Sequence, residues 1–325
     1  MSLSRARGAL YGLAIGDALG MPTQMLSREQ IRARYGGTLT GFVPAPPGHP
    51  IAAGQPAGAV TDDTEQAVLL GRLLVKGPID PHEFANAMVA WERTMAERGS
   101  LDLLGPSTKR AVAAVLAGQD PAETGRYGDT NGAAMRIAPV GIATRGPGLV
   151  EAVVAASRVT HNTGIALAGA AAVAAVVSAG LDGATFTETL PLALAAAREA
   201  ATRGCWVAGA DVAARIEWAV GLVAGLSPDE ATEQIYTLVG TSLATQESVP
   251  AAFAVLAAIP GDPWRACLLA AALGGDCDTI AAMAGAMGGA THGVESFPDE
   301  AITVIDRQGL DVGHLADELY RLRGS

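Results

Sequence analysis

Two short stretches of this sequence set pairs of aspartates at the head of an apolar run: Thr61-Asp62-Asp63-Thr64 and Asp276-Cys277-Asp278-Thr279. Carboxylates are seldom buried unless something neutralises them. Either stretch alone reads as an ordinary helix start. One acid caps the free amides and suits the macrodipole, and Asp62 with Glu65 has the spacing of a capping box. A cap uses one acid, however, and both stretches carry two. Adjacent helical residues point about 100° apart, so paired acids reach two different neighbours only from a helix start or a loop. If the two starts meet, four carboxylates converge, and their repulsion is on the order of several kcal/mol unless cations lie between them. Hard oxygen donors with threonine hydroxyls suit Mg2+ or Mn2+ rather than zinc. Two such ions form an established catalytic arrangement.

Two further clusters have the right residue types for ligand contact. In Y-G-D-T-N-G-A-A-M-R, Asn131 and Gly132 can open a helix whose small Ala133 and Ala134 leave its amides approachable, followed by Met135 and Arg136. A loop with an asparagine cap is the plainer reading. Arg136 inside an apolar run needs a partner, either a structural carboxylate or a phosphate. In S-R-V-T-H-N-T-G, His161 precedes a long small-residue run; a capping or core histidine is the plainer reading there, and more so for His292. The methionines read as core filling.

The elements that must position these residues are helical. Periodicity and composition predict helices over 4–19, 27–34 (capped by Ser27), 63–76, 81–97, 106–117, 131–143, 149–158, 163–180, 187–202, 208–224, 229–237, 247–258, 262–272, 278–289, 298–307 and 312–322. Pro250 is expected in a first helical turn. Residues 43–59, rich in proline and glycine, are expected to form a loop. Strand-like alternation is nearly absent and no linker divides the 325 residues, so a single all-α domain is expected over 1–325. Aromatics make up only 4% of the chain against 50% hydrophobic residues, so the core must be built from Ala, Leu, Val and Ile, with glycines permitting close backbone approach.

Composition also excludes partners. A formal net charge of −11 without a basic run argues against nucleic acid. Three cysteines without C-x-x-C spacing argue against a disulfide framework and for a reducing compartment. Cys277, between two acids, is expected to be a small buried residue. Residues 162–181 are long and apolar enough to span a bilayer, but their Ala/Gly composition favours a buried core helix. After Arg5 and Arg7, residues 8–16 look like a short signal segment until Asp17 interrupts it. The expectation is a cytoplasmic protein without a membrane partner.

In chain order, G-A-L-Y-G-L-A-I-G-D-A-L-G-M-P-T, T-D-D-T, N-G-A-A-M-R, T-H-N and G-G-D-C-D-T-I-A together resemble the ADP-ribosylglycohydrolase family. The resemblance runs from about residue 6 to residue 293. It implies an all-α fold with two magnesium ions, manganese in some members. The implied ligands are Thr61, Asp62 and Asp63 from one side and Asp276, Asp278 and Thr279 from the other. By the same resemblance Asn131, Gly132, Ala133, Met135 and Arg136 line or support the ribose-diphosphate pocket, and His161 approaches the phosphates. The implied reaction is hydrolysis at the anomeric carbon of ribose in an ADP-ribosylated substrate. One position departs from the pattern: many relatives carry a glutamate where this chain has Gln24, and an amide cannot exchange a proton at neutral pH. Water activation is then expected to fall to Asp62, Asp63 or Asp276. That departure keeps open a changed substrate, such as a small N-riboside. A silent, crystallin-like member is disfavoured because all six implied ligand positions are retained.

Overall fold

A computed structural model of the chain describes residues 2–37, 39–98 and 104–324. These form eighteen α-helices, with three short 3-10 or π turns, and among the described residues the only β pairing is two isolated bridges. The architecture is all-α, as expected, around one large core with a small separate cluster of Met21, Ala45, Ala52 and Ala59.

The centre of the fold is a backbone-to-backbone contact between helix Ser2–Gly20 and helix Cys277–His292. Gly8, Gly12, Gly16 and Gly20 recur every fourth residue, which places them on one helix face. A Cβ at Gly16 would lie 2.0 Å from the carbonyl oxygen of Ala281, and one at Gly20 would lie 2.3 Å from Cα of Asp278. The second helix answers with Gly285 and Gly289. No side chain larger than hydrogen fits along this seam, so it fixes the depth of the two helices relative to each other. It also fixes Asp17, on one helix, beside Asp278, on the other.

Helix Gly164–Leu181 is long and apolar enough to cross a membrane, and here it is buried in the fold. Helix Pro81–Glu97 matches its expected span, as does helix Val312–Leu322. Ser27 caps helix Arg28–Tyr35 through a capping box with Gln30. Two expectations differ. The span 131–143 breaks into Gly132–Met135 and Ala138–Ala143, because Pro139 has no N–H and its ring excludes a continuous helix. Pro250 lies inside helix Thr245–Ala258 rather than in its first turn. The Gln246 carbonyl that its missing N–H would have met accepts from Arg215 Nε at 3.1 Å instead. All three cysteines are free, and burial raises the Cys277 thiol far above its ordinary pKa, so it is a small core residue.

Candidate active site

The site is assembled on Asp17, the one acid of helix Ser2–Gly20, which is fully buried. Its carboxylate accepts from the Thr61 backbone N–H at 3.0 and 3.1 Å and from Thr61 Oγ1 at 2.7 Å. It also accepts from the Thr64 backbone N–H at 3.1 Å and from the Thr64 hydroxyl. Asp17 therefore pins both ends of Thr61-Asp62-Asp63-Thr64. With Thr61, rather than Asp62, as the N-cap of helix Asp62–Lys76, both aspartates fall in the first turn. Asp62 accepts from Gln66 Nε2 at 2.8 Å, one turn on.

The two aspartate pairs meet. Thr279 Oγ1 donates to Asp63 Oδ1 at 3.3 Å, across 216 residues of sequence. Carboxylate oxygens of Asp17, Asp63 and Asp278 lie within 4.8 Å of one another. Asp276 N-caps helix Cys277–His292 without a side-chain hydrogen bond to its first amides, and accepts from Asn131 Nδ2, which also donates to Ser248 Oγ at 2.9 Å. Asp63 Oδ2 is buried with no hydrogen-bond partner.

This concentration of acids shows in their proton affinities. Burial pushes Asp17 and Asp276 up to about 6. Asp63 stands well above the ordinary carboxylate range, first through burial and then through the charges of Asp278, Asp62, Asp17 and Asp276. An unsatisfied buried carboxylate oxygen among oxygen donors fits a divalent cation. Asp17 already accepts from five donor contacts, so we read it as the anchor of the site rather than a principal ligand.

A cavity of about 170 Å³ lies over these acids. A second, of about 280 Å³, begins on the other side of Asp62 and is lined by Thr61, Glu65, Trp91 and Arg98. Among the described residues, Asp62 alone faces both.

The family model described as ADP-ribosylglycohydrolase matches residues 2–325. The chain belongs to the ADP-ribosylglycohydrolase family. It is 36% identical to the uncharacterized protein YegU of Escherichia coli (strain K12), over 99% of this chain and 98% of that protein. It is 28% identical to the ADP-ribosyl-[dinitrogen reductase] glycohydrolase of Rhodospirillum rubrum, over 98% of this chain and 97% of that protein. A solved structure titled ADP-ribosylglycohydrolase-related protein complex superposes with a TM-score of 0.69 at 26% identity, covering 99% of this chain and 98% of that chain. The chain is thus a glycosyl-hydrolase-like enzyme.

Ten of the thirteen site residues expected from sequence line the cavity: Asp62, Asp63, Asp276, Asp278 and Thr279, with Gln24, Asn131, Gly132, Met135 and His161. Thr61, Ala133 and Arg136 do not. Thr61 lines the second cavity instead, and its hydroxyl donates to Asp17. Ala133 is buried behind the wall.

Arg136 differs from expectation. It is fully buried, and its hydrogen bonds go to neutral side chains rather than to a carboxylate. Its guanidinium donates to Gln66 Oε1 at 3.0 Å and Thr160 Oγ1 at 2.5 Å, over the Phe84 ring at 5.3 Å. Gln66 in turn holds Asp62, and Thr160 holds His161 Nδ1 at 2.8 Å. Arg136 thus positions two cavity residues from behind. Burial, then the nearby Arg136 and Arg110 charges, push His161 well below its ordinary pKa, so it is neutral. On the other side of the ring, His161 Nε2 lies 3.0 Å from Thr130 Oγ1. His292 lies away from this cavity, bonded near the C-terminus of its own helix.

Asp17 is the residue that sequence reasoning missed. Its signal was present: one acid on a face otherwise made of glycine and apolar residues, in a helix too apolar to solvate it.

Proposed function

We propose that this protein is a divalent-metal-dependent hydrolase that cleaves the bond at the anomeric carbon of ribose in an ADP-ribosylated substrate. The observation that carries this reading is the meeting of the two aspartate pairs beneath one cavity, with Asp63 Oδ2 unsatisfied. Asp62, Asp63, Asp276 and Asp278, with Thr61 and Thr279, are the residues that would hold two ions, Mg2+ or Mn2+. Bound there, the ions would supply positive charge to orient ribose hydroxyls or water and to offset charge in an oxocarbenium-like transition state.

The chain's own residues do the rest. Asn131 holds Asp276 in place, and Gly132 leaves room beside His161, where a Cβ would come within 2.8 Å of the ring. Neutral His161 presents a dipole rather than a charge. Asp62 borders both cavities, so it can take a proton from water while sugar and aglycone occupy opposite sides.

The dinitrogen-reductase glycohydrolase of R. rubrum supports an ADP-ribosylated protein as the substrate kind. Gln24 favours a second reading, a small ribosylated metabolite, because a mechanism that uses a carboxylate at that position is closed here. Calorimetric titration of ADP-ribose tests the first reading. Binding in Mg2+-loaded protein that disappears with EDTA supports it; no binding to loaded protein refutes it and favours free ribosides.

A further inference from the structure

Gln24 lies in the turn that follows helix Ser2–Gly20 and lines the cavity above the acids. It is 4% exposed, and its Nε2 is buried without any hydrogen-bond partner from the protein. Buried side-chain amides are almost always paired, and an unpaired donor is costly. The backbone gives Gln24 little freedom to find another partner. Its own N–H bonds Gly20 O at 2.9 Å, and Thr23 Oγ1 before it is held by Ala271 O at 2.6 Å. Met25 after it donates to Gly275 O at 2.7 Å.

A second observation falls at the same place. Met25 is one of two non-glycine residues among those described with a positive φ, here +57°, and it stands at the cavity mouth. Strained backbone beside an unsatisfied buried donor is the pattern of a segment shaped for a ligand rather than for stability. Three other neutral polar side chains of the cavity are already engaged, while Asp63 Oδ2, an acceptor, is itself unsatisfied. Asn131 is spent on Ser248 and Asp276, Thr279 on Asp63, and His161 on two threonines.

We propose that Gln24 is a substrate-holding residue whose amide donates a hydrogen bond to an oxygen of the bound ADP-ribosyl unit. The inference rests on the function proposed above. It assigns this position to recognition, not proton transfer: a neutral donor beside a floor of acceptors selects a ligand with an acceptor oxygen at that point. An aspartate or glutamate there would repel the same oxygen and add a further acid to the cluster.

The test is calorimetric titration of ADP-ribose into Mg2+-loaded wild type, Gln24→Met and Gln24→Glu, with Mg2+ affinity measured separately for each. Methionine keeps the length and removes the donor. Gln24→Met is expected to weaken ADP-ribose about tenfold, the value of one buried hydrogen bond, with Mg2+ affinity unchanged. Gln24→Glu is expected to weaken ADP-ribose at least as much while tightening Mg2+. If Gln24→Met binds ADP-ribose like wild type, the amide serves only solvent and the proposal is wrong. If Gln24→Met loses Mg2+ to the same extent as ADP-ribose, Gln24 belongs to the ion site and the proposal is again wrong. Failure of wild type itself to bind ADP-ribose removes the functional reading and this inference with it.

Discussion

Removing divalent metal from this protein should make its stability fall as pH rises toward neutrality. Asp17 and Asp276 have carboxyls whose pKa is 3.8 in an ordinary setting and about 6 when buried in the fold. Their folded pKa lies above the unfolded one, so the folded chain binds more protons between those values. Stability is then full below about pH 4 and is lost as pH climbs through about 6. A rise from 3.8 to about 6 corresponds to about 3 kcal/mol for one such group. The groups share one cluster and do not add independently, so on the order of 3 kcal/mol is the expected loss. For a chain of this length that is about 4 °C in Tm. His161 has the opposite slope, because its pKa is depressed and its folding favours the neutral form. It affects metal-free and metal-loaded protein alike, so it cancels in their difference. The assay is thermal unfolding from pH 4.5 to 8, in EDTA and in excess Mg2+. The gap between the two curves should be small near pH 4.5 and widest above pH 7. Asp63→Asn removes the carboxylate most strongly repelled by Asp278, Asp62, Asp17 and Asp276. In EDTA at pH 7.5 this variant should be more stable than wild type, with a reduced response to Mg2+. A pH-independent gap, or an Asp63→Asn protein less stable than wild type in EDTA, would refute the reasoning.

Other perturbations follow from the same geometry. Asp17→Asn keeps the packing but loses the charge that pins Thr61 and Thr64, and it should weaken Mg2+ by about 10- to 100-fold in a direct titration. Gly16→Ala places a methyl 2.0 Å from a backbone oxygen and should cost about 3 kcal/mol or more by calorimetric unfolding, with Mg2+ affinity falling as Asp17 and Asp278 move apart. Arg136→Leu unties Gln66 and Thr160 and should cost about 2 kcal/mol of stability, which denaturant titration would measure.

Much of the fold was legible because helix periodicity and capping are local properties. Ser27 announced its capping box, and Pro81 opens its helix in the expected place. The breaks at Pro139 and the tolerated Pro250 were less legible, since the second depends on Arg215 supplying a donor from another helix. At the site, the aspartate pairs were readable because doubled acids before apolar runs have no sufficient local explanation. Asp17 was not, because its meaning lies in five contacts across more than forty residues of sequence. Arg136 was read as needing an anion, and its fully neutral hydrogen-bond partners come from two distant segments.

The most direct test of the account is metal stoichiometry. Protein dialysed against Mn2+, crystallised, and examined by anomalous scattering should show two peaks between Asp62–Asp63 and Asp276–Asp278. In Asp63→Asn at least one of them should be lost. No peak among these carboxylates, from protein that is folded and Mn2+-saturated, would contradict the claim that this cluster is built to hold cations.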